Sequence, residues 1–137
     1  MRKTYLALGT HKSAKKQGWV KGGMARSRRG TWKLTRDEDN FAVTRFSSQS
    51  LKPGLRLFVL QPFTGKTHQL RVAMKSIGSP ILGDTLYGGD EAEHLFLHAW
   101  RLVFDYRGEH FDIRVVPDKT WPSEIDLSAC LGSDESE

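Results

Sequence analysis

An α+β domain built mainly of antiparallel strands, with one or two short helices, is what this sequence predicts, and three observations carry the prediction. Short runs rich in aliphatic and aromatic residues recur at 4–8, 41–46, 55–60, 95–104 and 111–116. Turn-forming residues join two pairs of them, Lys52-Pro53-Gly54 and Tyr106-Arg107-Gly108-Glu109, as hairpins require. One segment changes period: from His68 to Ile77, Leu70, Ala73, Met74 and Ile77 follow helical spacing.

In chain order, Thr4 to Leu8 reads as a strand that ends at Gly9. The glycine-containing stretch from Gly18 to Leu34 reads as extended chain with one strand pair. The hairpin of 41–46 and 55–60 follows, its connection longer than two residues and its register open. The helix comes next, about three turns long, with Thr67 as its N-cap and Gly78 as its stop before Pro80. In the last hairpin Phe111, Ile113 and Val115 alternate with Asp112 and Arg114, so one face of that strand is expected to be buried. Trp121-Pro122 opens a C-terminal segment with room for a second short helix. A chain of 137 residues closes one modest core, so residues 1–131 are expected to form one domain and 132–137 a flexible tail.

Composition narrows the function classes. No run approaches the ~20 apolar residues that cross a bilayer, and Met1 to Tyr5 has no apolar signal-peptide core. A soluble, cytoplasmic protein without a membrane partner is expected. The single cysteine, Cys130, excludes an internal disulfide and a multi-cysteine zinc site. The net charge of +5 hides a strong segregation: residues 1–36 hold eleven Lys or Arg and no acid, whereas 37–137 hold ten bases and sixteen acids. The front of the chain therefore suits a polyanion, although a solvated basic surface fits the same count.

The segment Pro62 to Val72 concentrates polar chemistry. A strand ends in a Pro-Phe-Thr-Gly corner, and Lys66, Thr67, His68 and Gln69 precede the helix that carries Arg71. Helix-start N–H groups, the Lys66 ammonium and the Arg71 fork converge there, which suits a phosphate, a carboxylate or a polar base. On the residues alone, an ordinary capped helix whose arginine makes a salt bridge is the default account of the pattern. His94 and His98 have the spacing of a helical metal pair, but strand-like surroundings and the lack of further ligands leave them structural, and no metal is expected.

The run Thr64-Gly65-Lys66-Thr67-His68-Gln69-Leu70-Arg71-Val72, followed by Gly83-Asp84-Thr85-Leu86-Tyr87-Gly88, resembles a signature of RluA-type RNA pseudouridine synthases. The family form is close to Thr-Gly-Arg-Thr-His-Gln-Ile-Arg-Val, then Gly-Asp-x-x-Tyr-Gly. This chain departs from it at Lys66, where Arg is usual, and at Ala73, where His is usual. Leu97-His98-Ala99 and Lys3-Thr4-Tyr5-Leu6-Ala7 also match, so the resemblance runs in order from about residue 3 to residue 116.

The resemblance implies the C-terminal portion of a pseudouridine synthase catalytic domain, an isomerase acting on ribosomal or transfer RNA without a cofactor. It implies catalytic roles for Tyr5, which stacks on the extruded base and serves proton transfer at carbon 5, and for Arg71, which pairs with the nucleophilic aspartate. Lys66, Thr67, His68 and Gln69 would bind substrate, with Thr64 holding the turn. Lys21, Arg26, Arg28 and Arg29 are candidates for the RNA backbone, with Trp19 and Trp32 interleaved among the basic residues as stacking platforms or core anchors. The family's nucleophile sits in an Arg-Leu-Asp element upstream of the Lys-x-Tyr-x-Ala strand, and no such element occurs in these 137 residues. The expectation is a fragment that is inactive by itself and leaves Arg71 without its partner; Asp84 belongs to a loop in the family pattern and is not taken as a substitute. An RNA-binding protein of the same fold that has lost catalysis is the alternative.

Overall fold

The structure, a computed structural model, describes residues 1–131; the tail expected at 132–137 lies outside them. Seven strands form one antiparallel sheet: β1 (Arg2–Gly9), β2 (Gly18–Arg26), β3 (Trp32–Thr35), β4 (Ala42–Lys52), β5 (Leu55–Pro62), β6 (Leu97–Tyr106) and β7 (Glu109–Arg114). Their spatial order is β3-β2-β4-β5-β1-β6-β7. One α-helix, α1 (Gln69–Ser76), lies on the sheet, and short 3-10 turns occupy Arg28–Gly30, Thr85–Tyr87 and Leu127–Cys130.

The interior position of β1, between β5 and β6, explains its unbroken apolar run. On one face Ala7, with Phe46, Phe58 and Leu60 of the neighbouring strands, packs against Leu70, Met74 and Ile77 of the helical segment and Ile81 beyond it. On the other face Leu6 and Leu8, with Leu57 and Val59, pack against Phe96, Trp100, Trp121 and Cys130. A strand covered on both sides cannot alternate polar with apolar residues. The C-terminal segment after Trp121 therefore closes the second face. Trp100 Nε1–H donates to the Cys130 carbonyl at 2.7 Å, and burial raises the pKa of the Cys130 thiol.

The pairing of β1 with β6 shifts register between Thr4 and Tyr5: Thr4 faces Arg101 while Tyr5 faces Ala99. Trp100 is the extra residue. A bulge of this kind re-aims neighbouring side chains, and here the Trp100 indole joins the core with Leu6 and Leu8, on the face opposite Tyr5.

Three details differ from the sequence reading. The β4–β5 turn is only Pro53-Gly54, because β4 continues to Lys52, which pairs with Leu55; Gly54 takes φ +80°, which glycine accepts freely. The helix has eight residues rather than three turns, and Thr67 does not cap it. The last strand does not bury a face: Ile113 is 46% and Val115 53% exposed, because β7 is an edge strand with β6 as its sole neighbour and no layer covers that end. At the other end of α1 the expected stop holds, with Gly78 at φ +87° and the Ser79 N–H donating to the Met74 carbonyl.

Candidate active site

The corner between β5 and α1 is held by one amide. Gln69 is 6% exposed, and its side chain uses all four of its hydrogen-bonding valences inside the protein. Oε1 accepts from the Thr64 hydroxyl (2.7 Å) and the Lys66 N–H (3.0 Å). Nε2 donates to the Val43 carbonyl (3.0 Å) and the Thr44 hydroxyl oxygen (2.9 Å). Thr64 Oγ1 also accepts from the Val43 N–H, which ties the corner to β4. Gln69, expected to bind substrate, is thus a clamp for the turn, since no amide group is left over. Thr64 is the turn residue it was expected to be.

His68 precedes the helix at φ 56°, ψ 19°, a left-handed conformation that non-glycine residues seldom adopt. Both ring nitrogens are engaged. Nε2 lies 3.2 Å from Arg71 Nη1, and Nδ1 lies 2.8 Å from Tyr87 Oη. A guanidinium only donates, so Nε2 accepts and Nδ1 carries the proton, donating it to Tyr87 Oη. That oxygen also accepts the Trp32 N–H at 2.8 Å. Burial and the nearby Arg71 charge lower the His68 pKa, and Asp84 opposes them in part.

Arg71 was expected to stand without a partner here; the structure gives it one. Its Nε–H and Nη2–H donate to the two carboxylate oxygens of Asp84 at 3.0 and 2.8 Å, a fork-on-fork pair. Those bonds raise the Arg71 pKa further. The guanidinium also lies 4.9 Å from the Tyr87 ring centroid. Asp84 is in place because Gly83, at φ +91°, passes so close to the His94 carbonyl that a Cβ would overlap it. Of five guanidinium N–H groups, Asp84 and His68 take three, which leaves two.

A cavity of about 230 Å³ opens at this corner, and Tyr5, Lys66, His68, Gln69 and Arg71 all line it, with Lys3 and Leu97 completing its β1–β6 side. Tyr5 and Arg71, far apart in sequence, border the same space. Thr67 is exposed and does not line the cavity. Lys66 is half-buried at the cavity wall. The hydroxyl of Tyr87 is the element the sequence reading missed: it joins His68 to the backbone of β3.

The basic candidates lie elsewhere. Arg28 and Arg29 sit exposed at the tip between β2 and β3, and Arg26 reaches over the Trp32 ring at 5.6 Å. Lys21 is exposed on β2 beside Trp19. His94 stacks on Phe96 with ring centroids 3.9 Å apart, and His98 Nε2 meets the Val115 carbonyl. Among the described residues no helix is long and apolar enough to cross a membrane.

Comparison with known proteins yields a consistent set. No family model matches the chain. An uncharacterized RNA pseudouridine synthase of Haemophilus influenzae is 53% identical over 121 residues, covering 87% of this chain and 54% of that protein. Ribosomal large subunit pseudouridine synthase C of Rickettsia bellii is 39% identical over 141 residues, covering 97% of this chain and 43% of its own length. The solved human RNA pseudouridylate synthase domain containing 1 superposes with a TM-score of 0.71 at 25% identity, covering 94% of this chain and 58% of that one. The chain spans about half the length of the curated relatives it matches. With this sheet, this corner and these relatives, it belongs to the RluA-type family of RNA pseudouridine synthases.

Proposed function

We propose that this chain is the C-terminal portion, residues 1–131, of the catalytic domain of an enzyme that converts uridine to pseudouridine in ribosomal or transfer RNA in the cytoplasm. The single observation that carries the reading is the shared cavity of Tyr5 and Arg71. In the reaction the bond from N1 of uracil to the ribose breaks, the base turns, a bond from C5 forms, and the C5 proton is lost as N1 gains one. Within this chain the Tyr5 ring offers a stacking face for a base taken out of its helix. Its hydroxyl is the group for proton transfer at C5.

Arg71, held by Asp84 and His68, presents its remaining N–H groups and its fixed charge to a carboxylate entering from the rest of the enzyme. An arginine already locked by one carboxylate meets a second without losing side-chain freedom. Lys66 and the N–H groups of the corner meet the phosphate beside the target nucleotide. The Haemophilus and Rickettsia relatives, both named as pseudouridine synthases, support the reaction.

The test is a pseudouridine map of ribosomal and transfer RNA from cells with and without the full gene. At least one site should vanish with the gene and return with the wild-type gene. An identical map in both strains would overturn the assignment of activity.

A further inference from the structure

Two aromatic rings stand out of the sheet where the core does not need them. Trp19 is 48% and Phe63 40% exposed, with ring centroids 5.4 Å apart at 32°. Trp19 lies on β2 directly opposite Arg45 of β4, and Lys21, two residues along the same strand, points to the same face. Lys21 Nζ is 5.0 Å and the Arg45 guanidinium 5.6 Å from the Trp19 ring. The Phe63 N–H donates to the Val43 carbonyl at 2.8 Å, so its backbone is pinned beside β4. Apolar rings kept half in water between two cations do little for folding. They match a ligand that is flat and anionic together.

Position adds to the argument. Phe63 lines a concavity of about 320 Å³ at the end of β1 and β5, and Lys3, Pro62, Thr64 and Gly65 line both this concavity and the cavity of Tyr5 and Arg71. The aromatic pair and the candidate active site are therefore two sides of one corner. The basic, acid-free first 36 residues supply the field around it.

We propose that Trp19 and Phe63 form a stacking platform for an unpaired nucleobase flanking the target nucleotide, with Lys21 and Arg45 meeting the adjoining phosphates. The identity of the ligand as RNA rests on the pseudouridine synthase reading; the platform itself rests on the geometry above. Stacking on aromatic side chains tolerates any base, so the platform grips single-stranded RNA beside the site without reading sequence.

The experiment is binding of the 137-residue chain to an oligouridylate of about ten nucleotides and to a duplex of equal length across a salt series. Trp19→Ala and Phe63→Ala should each weaken single-strand binding about ten-fold or more, with duplex binding and the salt slope unchanged. Trp19→Phe should restore most of the affinity, because it restores a ring. Lys21→Ala should instead flatten the single-strand salt slope by about 0.7. Unchanged oligouridylate affinity in both alanine variants, while the chain still binds RNA, overturns the platform and leaves the active-site reading in place. Absence of RNA binding by the unaltered chain also overturns the platform, and the pseudouridine map then tests the activity separately.

Discussion

Arg71 and Asp84, thirteen residues apart, close a two-bonded ion pair in which the aspartate side chain is 1% and the arginine side chain 22% exposed. The pair joins the helix to the loop beyond it, so the residue most expected to serve chemistry also serves the fold. Removing one member strands the other.

Asp84→Ala should therefore destabilise the chain by about 3–5 kcal/mol, the usual cost of leaving a buried charge unpaired. The double variant Arg71→Met/Asp84→Leu should recover most of that loss, since apolar residues of similar volume often replace a buried pair at little cost. Urea unfolding of the three proteins measures it. Equal losses in the single and double variants would show that the pair does not carry its own stability. In the full-length enzyme the double variant should be folded and inactive, which separates the chemical role of Arg71 from its structural one.

His68 supplies a pH dependence with a definite sign. Its folded pKa lies below the ordinary 6.5, so the unfolded chain takes up a proton first as pH falls. The His68 contribution to stability is full above the unfolded value and is lost as pH drops from there through the folded pKa. Protonation would also put a second donor on Nε2, against Arg71. His68→Asn tolerates the left-handed backbone and does not titrate. Relative to it, the wild type should lose stability as pH falls below the ordinary histidine value of about 6.5; parallel curves would show that the imidazole is not coupled to folding.

These network effects mark where the sequence stopped being legible. The strands were readable because burial leaves a local trace: Leu6-Ala7-Leu8 is apolar throughout because both faces of β1 are covered. The hairpins were readable from Pro53-Gly54 and Arg107-Gly108. The exposed face of β7 was not, because alternation shows which residues share a side and not whether anything covers it. At the corner, Gln69 looked like a ligand because an amide's partners, Val43 and Thr44, come from a strand about 25 residues earlier in the chain. Thr67 looked like a cap because the left-handed turn at His68 has no local signature. The salt-bridge alternative for Arg71 was visible, but not its partner: only the backbone turn at Gly83 brings Asp84 back to the helix.

Tyr87→Phe tests the least visible member of the network. Its hydroxyl receives the Trp32 N–H and the His68 Nδ1–H, and the ring is 1% exposed, so no water replaces the lost oxygen easily. The loss of two bonds to one group should cost about 1–3 kcal/mol. Hydrogen exchange at the Trp32 amide should accelerate more than at the β4–β5 amides. Equal acceleration everywhere would mean a global effect rather than a local link.

Neutralising Arg26, Arg28 and Arg29 together should flatten the salt dependence of single-stranded RNA binding by up to about 2 units in log–log slope, at about 0.7 per phosphate contact. The tip between β2 and β3 is exposed and is anchored at Trp32 to Tyr87, so it stands near the site without forming part of the cavity. Turnover at saturating RNA should accordingly persist in the full-length triple variant. An unchanged slope would remove this tip from the RNA path.

Tyr5 separates two contributions that a single aromatic residue can make. The bulge at Thr4–Tyr5 and the pairing with Leu60 and Ala99 set its backbone, so Tyr5→Phe should leave the fold and the stacking face intact. In the full-length enzyme this variant should bind RNA as the wild type does and turn over about 10²–10⁴-fold more slowly, the range that one positioned proton-transfer group supplies. Tyr5→Leu should lose stacking as well and weaken RNA affinity. If Tyr5→Phe turns over normally while Tyr5→Leu fails, the ring alone matters and the C5 proton leaves by another group. Single-turnover rates with saturating enzyme distinguish the two cases, because they report the chemical step apart from binding.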